Sequence, residues 1–122
     1  MIGYTTLGTN DLARASAFYD ALFGSIGEQR IMDVDGFVVW GTSLEQPGFS
    51  ITAPFDGNPA TVGNGVMIAI QMPSADAVDT FYAKAMELGA SDAGPPGQRG
   101  EGFYAGYFRD LDGNKLNAFF MG

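Results

Sequence analysis

The stretch from Tyr104 to Lys115 gathers several groups able to act on a ligand: two tyrosines, one arginine and the run Asp110-Leu111-Asp112-Gly113-Asn114. On a strand, alternation puts Tyr107 and Arg109 on one face and Tyr104 on the other. A phenol beside a guanidinium can orient an oxyanion; the structural alternative is aromatic packing with Arg109 paired to Asp110 or Asp112. The acidic run has the spacing of a calcium loop at its start, but Lys115 stands where that loop needs its sixth-position glycine, and the later glutamate is missing. It reads as a turn, with Asp112-Gly113 supplying positive φ and Asp110 capping backbone donors. Gly94-Pro95-Pro96-Gly97-Gln98-Arg99-Gly100-Glu101-Gly102 lacks the Gly-Lys-Ser/Thr ending of a phosphate loop. It is expected as a loop, either a solvated connector or a lid carrying Arg99 and Glu101 over a cavity.

What the chain lacks narrows its chemistry further. It has no histidine and no cysteine, so imidazole bases, thiolate nucleophiles and the commonest transition-metal ligands are excluded. Lys and Arg total 6 against 14 Asp and Glu, a net charge of −8, which argues against nucleic acid and anionic membranes as partners. The opening Met1-Ile2-Gly3-Tyr4 has no leader character, and no apolar run approaches the ~20 residues of a membrane span. A soluble, cytoplasmic protein is expected. At 122 residues the chain is long enough to hold a core without metal or disulfide staples.

The elements that must position these groups come in duplicate. Leu12, Ala15, Phe18, Tyr19, Leu22 and Phe23 mark one helix face after the cap candidates Thr9-Asn10-Asp11. Ala75, Val78, Phe81, Tyr82, Ala85 and Met86 repeat that stripe 63 residues later, after Pro73-Ser74 and before Leu88-Gly89. Short strands precede both helices, at 4–7 and 67–70. Strand-forming runs follow at 28–32, 37–40 and 49–52, and again at 91–93, 103–108 and 115–120. The pattern predicts an α+β fold of two tandem βαβββ modules in a single domain over 1–122: module one at 1–56, a turn-rich linker at 57–65 and module two at 66–122.

Parity then assigns faces. Leu7 must face the first helix, leaving Tyr4 and Thr6 on the other side; Ile68 and Ile70 face the second, leaving Met67 and Ala69 opposite. Ser50 and Thr52 alternate with Phe49 and Ile51, and Asn117 and Phe119 with Leu116, Ala118 and Phe120. A helix covers only one face of its sheet, so the two modules are expected to form a cupped sheet with a central cavity of mixed polarity. The candidate lining is Tyr4, Thr6, Trp40, Ser50, Thr52, Met67, Tyr107, Arg109, Asn117 and Phe119, with Trp40 as pocket floor or core filler.

Leu7-Gly8-Thr9-Asn10-Asp11-Leu12 leading to Ala17-Phe18-Tyr19, and Phe108-Arg109-Asp110-Leu111-Asp112-Gly113-Asn114-Lys115-Leu116, resemble the vicinal oxygen chelate superfamily across essentially the whole chain. That family includes glyoxalase I, bleomycin-resistance proteins and extradiol dioxygenases. The second segment is similar to its Phe-Arg-Asp-Pro-Asp-Gly-Asn signature, with Leu111 in place of proline. The resemblance implies metal ligands, usually His or Glu, at the positions of Tyr4, Ser50, Met67 and Asn117. All four are neutral, weak donors, so no metal and no other cofactor is expected, and metal-dependent glyoxalase or dioxygenase chemistry loses its centre. The leading expectation is a metal-free binder of a small organic molecule, with antibiotic or metabolite sequestration as one role the family implies. The resemblance also implies a homodimer, since paired modules of this kind expose sheet edges that a partner can bury. The alternative is a metal-independent, lyase- or isomerase-like enzyme with Tyr4 or Tyr107 as general acid and Arg99 or Arg109 holding an anionic substrate such as a thiol conjugate. Last comes a metal enzyme with displaced ligands from Asp33, Asp35 or Glu45.

Overall fold

The computed structural model describes all residues, 1–122, as two compact units, Met1–Val62 and Gly63–Gly122. The division falls within the turn-rich 57–65 segment, whose first part belongs to the first unit. There the Asn10 side chain receives the Ala60 N–H at 2.6 Å and donates to the Ala60 carbonyl at 3.2 Å.

The first unit runs β1 (Tyr4–Gly8), α1 (Leu12–Gly24), β2 (Gln29–Val34), β3 (Phe37–Gly41) and β4 (Gly48–Thr52). The strands form an open four-stranded sheet in the order β1-β4-β3-β2, in which only β1 and β4 run parallel. The Asp11 carboxylate accepts the Arg14 N–H at 3.0 Å and so starts α1, satisfying a helix-end donor that would otherwise face water alone. Asp35-Gly36, both at positive φ, closes the β2–β3 hairpin in the two-residue turn that such a pair favours. The apolar stripe of α1 packs on Leu7, Val38, Trp40, Phe49 and Ile51, all buried. The Tyr19 ring lies at its centre, 4.7 Å from Phe49 and 5.7 Å from Trp40.

Trp40 therefore lies under α1, on the covered face, as a core filler and not as the floor of a pocket lined by Tyr4 and Ser50. Its register partners explain this: Trp40 pairs with Phe49, a helix-facing residue, while Val39 pairs with Ser50. Its indole N–H donates to Asp20 Oδ1 on α1 at 2.9 Å. Arg30 grips the same carboxylate through two hydrogen bonds of 2.8 Å, tying β2 to the helix and holding the Asp20 carboxyl below its ordinary value.

The second unit repeats the order: β5 (Ile68–Gln71), α2 (Ala75–Glu87), β6 (Ser91–Gly100), β7 (Phe103–Arg109) and β8 (Lys115–Met121), with sheet order β5-β8-β7-β6. Ser74 caps α2 by accepting the Ala77 N–H, and Gly89 takes positive φ just beyond its end. Val78, Phe81 and Ala85 meet Phe108, Leu116 and Ala118 in a closed core.

One element departs from expectation. The Gly/Pro-rich segment is not a loop or a lid: Ser91–Gly100 is an edge strand paired antiparallel with β7, its register broken by three irregularities. An edge tolerates Pro95 and Pro96 because it needs amide donors on one side only. Gly106 on β7 makes room for them, since a Cβ there would stand 3.0 Å from the Pro96 ring.

Replacing Asp20 by Ala leaves the buried indole N–H without an acceptor and is expected to cost about 1–3 kcal/mol in chemical denaturation. Asp20→Asn keeps an acceptor and loses only a solvent-screened ion pair, under about 1 kcal/mol. Because the folded-state value of Asp20 is depressed, that second difference is fully present above about pH 4 and closes as pH falls through the folded-state value. Melting curves of parent and Asp20→Asn from pH 7 to pH 2.5 check the sign.

Candidate functional site

The face of the first sheet turned away from α1 carries Tyr4, Thr6, Ser50, Thr52, Phe37 and Val39, as the alternation along β1, β3 and β4 requires. Thr6 and Ser50 are register partners, and their hydroxyls lie 2.8 Å apart. Ser50 Oγ also donates to the Thr5 carbonyl at 2.6 Å, so its single proton is already committed within the sheet. Thr52 Oγ1 donates to the Ala53 carbonyl at 3.1 Å. Tyr4 is different: it is 60% exposed, and its ring meets Phe37 edge-on at 5.7 Å.

Tyr4 and Phe37 open into a cavity of about 290 Å³ completed by Met32, Val39, Leu44 and Gly48. Its floor includes Gly48, where a Cβ would come within 2.8 Å of Val39 Cγ1. Leu44 and Val34 are exposed large apolar side chains of the same unit. The walls hold no carboxylate, lysine or arginine; the polar groups on offer are the Tyr4 phenol, the Gln46 amide and main-chain atoms. Such a surface holds an apolar or aromatic body by contact and supplies no base.

In the second unit the face away from α2 carries Ala69, Tyr107, Arg109, Asn117 and Phe119, and Tyr104 points to the other side, where its hydroxyl donates to Asp79 of α2 at 2.6 Å. Phe119 packs at 5.8 Å on Phe103. Arg109 donates to the Gly113 carbonyl at 2.8 Å and not to Asp110 or Asp112, as had been the alternative. Asp110 instead organises its turn, accepting the Asp112 and Asn114 N–H groups at 2.9 Å each. Asn117 is 1% exposed and its Oδ1 has no partner. The repeat explains the orphan. Asn117 pairs with Ala69 as Ser50 pairs with Thr6, so the second unit has a methyl where the first has a hydroxyl.

Asp33, Asp35 and Glu45 do not assemble. Asp33 is ion-paired with Arg30 at 2.9 Å, and nowhere do three or more His, Cys, Asp or Glu side chains meet in a way that would hold a metal. The groups with displaced protonation serve structure: Tyr82, pushed up to about 12 by burial and by Asp92, donates to that carboxylate at 2.7 Å, and Asp79 raises Tyr104.

Sequence reasoning missed Phe37, Val39, Met32, Leu44 and Gly48. The signal was present in β3, where Phe37 and Val39 alternate with Val38 and Trp40; an apolar residue at every position hides which pair the helix covers. The register irregularity between Arg30 and Met32 in β2, which brings Met32 beside Val39, leaves no mark in the sequence.

Residues 1–118 match the family model described as Glyoxalase/Bleomycin resistance protein/Dioxygenase superfamily. Among solved structures, a glyoxalase/bleomycin resistance protein from Albidiferax ferrireducens is 34% identical with a TM-score of 0.89, covering 98% of this chain and 97% of that one. A lactoylglutathione lyase from Agrobacterium tumefaciens is 21% identical with a TM-score of 0.72, covering 98% and 92%. The protein TioX from Micromonospora is 14% identical with a TM-score of 0.71, covering 100% and 99%. At those two identities the likeness is one of fold alone. No curated protein matches the sequence.

Two substitutions test the origin of the Asn117 orphan. Ala69→Thr supplies the hydroxyl that Thr6 provides in the first unit and is expected to raise stability by about 1 kcal/mol. Asn117→Leu removes the unpaired oxygen and is expected to be neutral or stabilising. Urea denaturation of both variants checks the pair.

Proposed function

Because the chain belongs to the Glyoxalase/Bleomycin resistance protein/Dioxygenase superfamily, we propose that it works as a metal-free binder of a small organic molecule whose apolar, ring-like part sits against Tyr4 and Phe37. The observation that carries this is the cavity of the first unit, with apolar walls, a glycine floor and no ionisable base. Its volume of about 290 Å³ stands at the lower end of ligand pockets, near ~300 Å³. That suits one or two fused rings.

Metal independence rests on donor chemistry. The four positions to which the family's pattern assigns metal ligands hold a phenol, a hydroxyl, a thioether and an amide. The Ser50 hydroxyl is engaged with Thr5 and Thr6. Neutral donors of this kind do not offset the desolvation of a divalent cation, so the residues do not fit the family's metal. Binding is favoured over turnover because the cavity lining contains no carboxylate to accept a proton. The cytoplasm as location and a homodimer as the assembled form belong to the same proposal.

Titration with neutral mono- and bicyclic aromatics, 2-naphthol and indole among them, tests it. One molecule per chain is expected to bind, with affinity unchanged by a chelator or by added Zn²⁺. Tyr4→Ala should weaken it about tenfold, the loss of roughly one aromatic contact. A requirement for a divalent ion, or equal affinity in Tyr4→Ala, contradicts the proposal.

A further inference from the structure

The second unit concentrates positive charge in a way its composition does not explain. The chain has 14 carboxylates for 6 lysines and arginines, so a cation finds a counter-charge easily, as Arg30 and Lys84 do. Arg109 and Lys115 find none. They stand directly opposite each other across β7 and β8, and like charges facing across a strand pair are destabilising. The Lys115 ammonium lies 5.3 Å from the centre of the Tyr107 ring, and the Arg99 guanidinium 5.4 Å from the same ring. Two of the six cations thus lie against one aromatic ring, with Arg109 two residues along the same strand face; the Arg99 guanidinium also donates to the Ala105 and Pro95 carbonyls. The carboxylates near them are engaged elsewhere. Asp110 is held by backbone N–H groups of its turn, and Asp92 by the Tyr82 hydroxyl and the Gly94 N–H. Arg109 is steadied by the Gly113 carbonyl, which fixes its position and leaves its charge uncompensated.

Between Tyr107, Arg109, Lys115 and the segment 63–67 lies a cavity of about 440 Å³. We propose that Arg109 and Lys115, with Tyr107 beside them, form a binding site for the carboxylate or phosphate group of a small molecule. The anion supplies the missing counter-charge at the facing pair, where guanidinium and ammonium donate charge-assisted hydrogen bonds. Tyr107 offers its hydroxyl as a further donor, and its ring face keeps both flanking cations in place. The site belongs to the second unit alone and does not depend on the aromatic pocket at Tyr4.

Inorganic phosphate and acetate are the probes, titrated separately at constant ionic strength and followed by backbone amide shifts and melting temperature. The expected result is saturable binding that shifts the amides of Tyr107, Lys115 and residues 63–67, and the tighter probe identifies the preferred group. Lys115→Met, which keeps the side-chain stem, should weaken binding at least tenfold, while Lys84→Met on α2 should leave it unchanged. Lys115→Glu turns the facing pair attractive, so without added anion it should melt as high as the parent or a few degrees higher, and it should no longer bind either probe. The proposal is overturned if the shifts map elsewhere, if Lys115→Met binds like the parent, or if Lys115→Glu melts well below the parent in the absence of anion.

Discussion

Each sheet is covered by one helix on one side, and strand geometry sends neighbouring side chains to opposite sides. From that constraint the rest follows. Phe49 and Ile51 go under α1 and release Ser50 and Thr52 to the other face; Leu116 and Ala118 go under α2 and release Asn117 and Phe119. The parallel pairing of the first and last strand in each unit brings Thr6 beside Ser50 and Ala69 beside Asn117. A one-residue slip would turn the apolar core residues away from the helix and these polar ones toward it, so the register is held by the full burial of Ile51, Phe108 and Leu116.

The two units share this frame and have diverged on the face turned away from the helix. In the first, polar groups satisfy one another and the remaining surface is apolar, ending in the glycine-floored cavity beside Tyr4. In the second, that face is polar and unbalanced, with a buried, unpartnered amide oxygen and facing cations. Such unfulfilled groups are costly to the fold itself. Both lie on the face of the second sheet turned away from α2, and not among the side chains packed under that helix.

Much of this was legible in the sequence because it depends on periodicity. The stripes around Phe18-Tyr19 and Phe81-Tyr82 mark both helices, Asp11 and Ser74 cap them, and strand parity alone sends Tyr4, Ser50 and Asn117 to the face away from the helices. What escaped depends on pairing across the sheet. Ser91–Gly100 has little strand propensity of its own and is extended because β7 offers it an edge and Gly106 makes room for its prolines. Trp40 sits in a strand apolar at every position, so its face was set by Phe49 across the ladder and Asp20 on the helix. The pairing of Arg109 with Lys115 is likewise a matter of register, set by the turn Asp110 to Asn114 that they flank.

The most direct test of the central claim, that uncharged side chains at Tyr4, Ser50, Met67 and Asn117 do not recruit a cation, is calorimetric titration of chelator-treated protein with Zn²⁺, Ni²⁺ and Mn²⁺ at neutral pH. The account predicts no saturable uptake by any of the three. One ion bound per chain with micromolar affinity, and lost in Asn117→Leu, would contradict it.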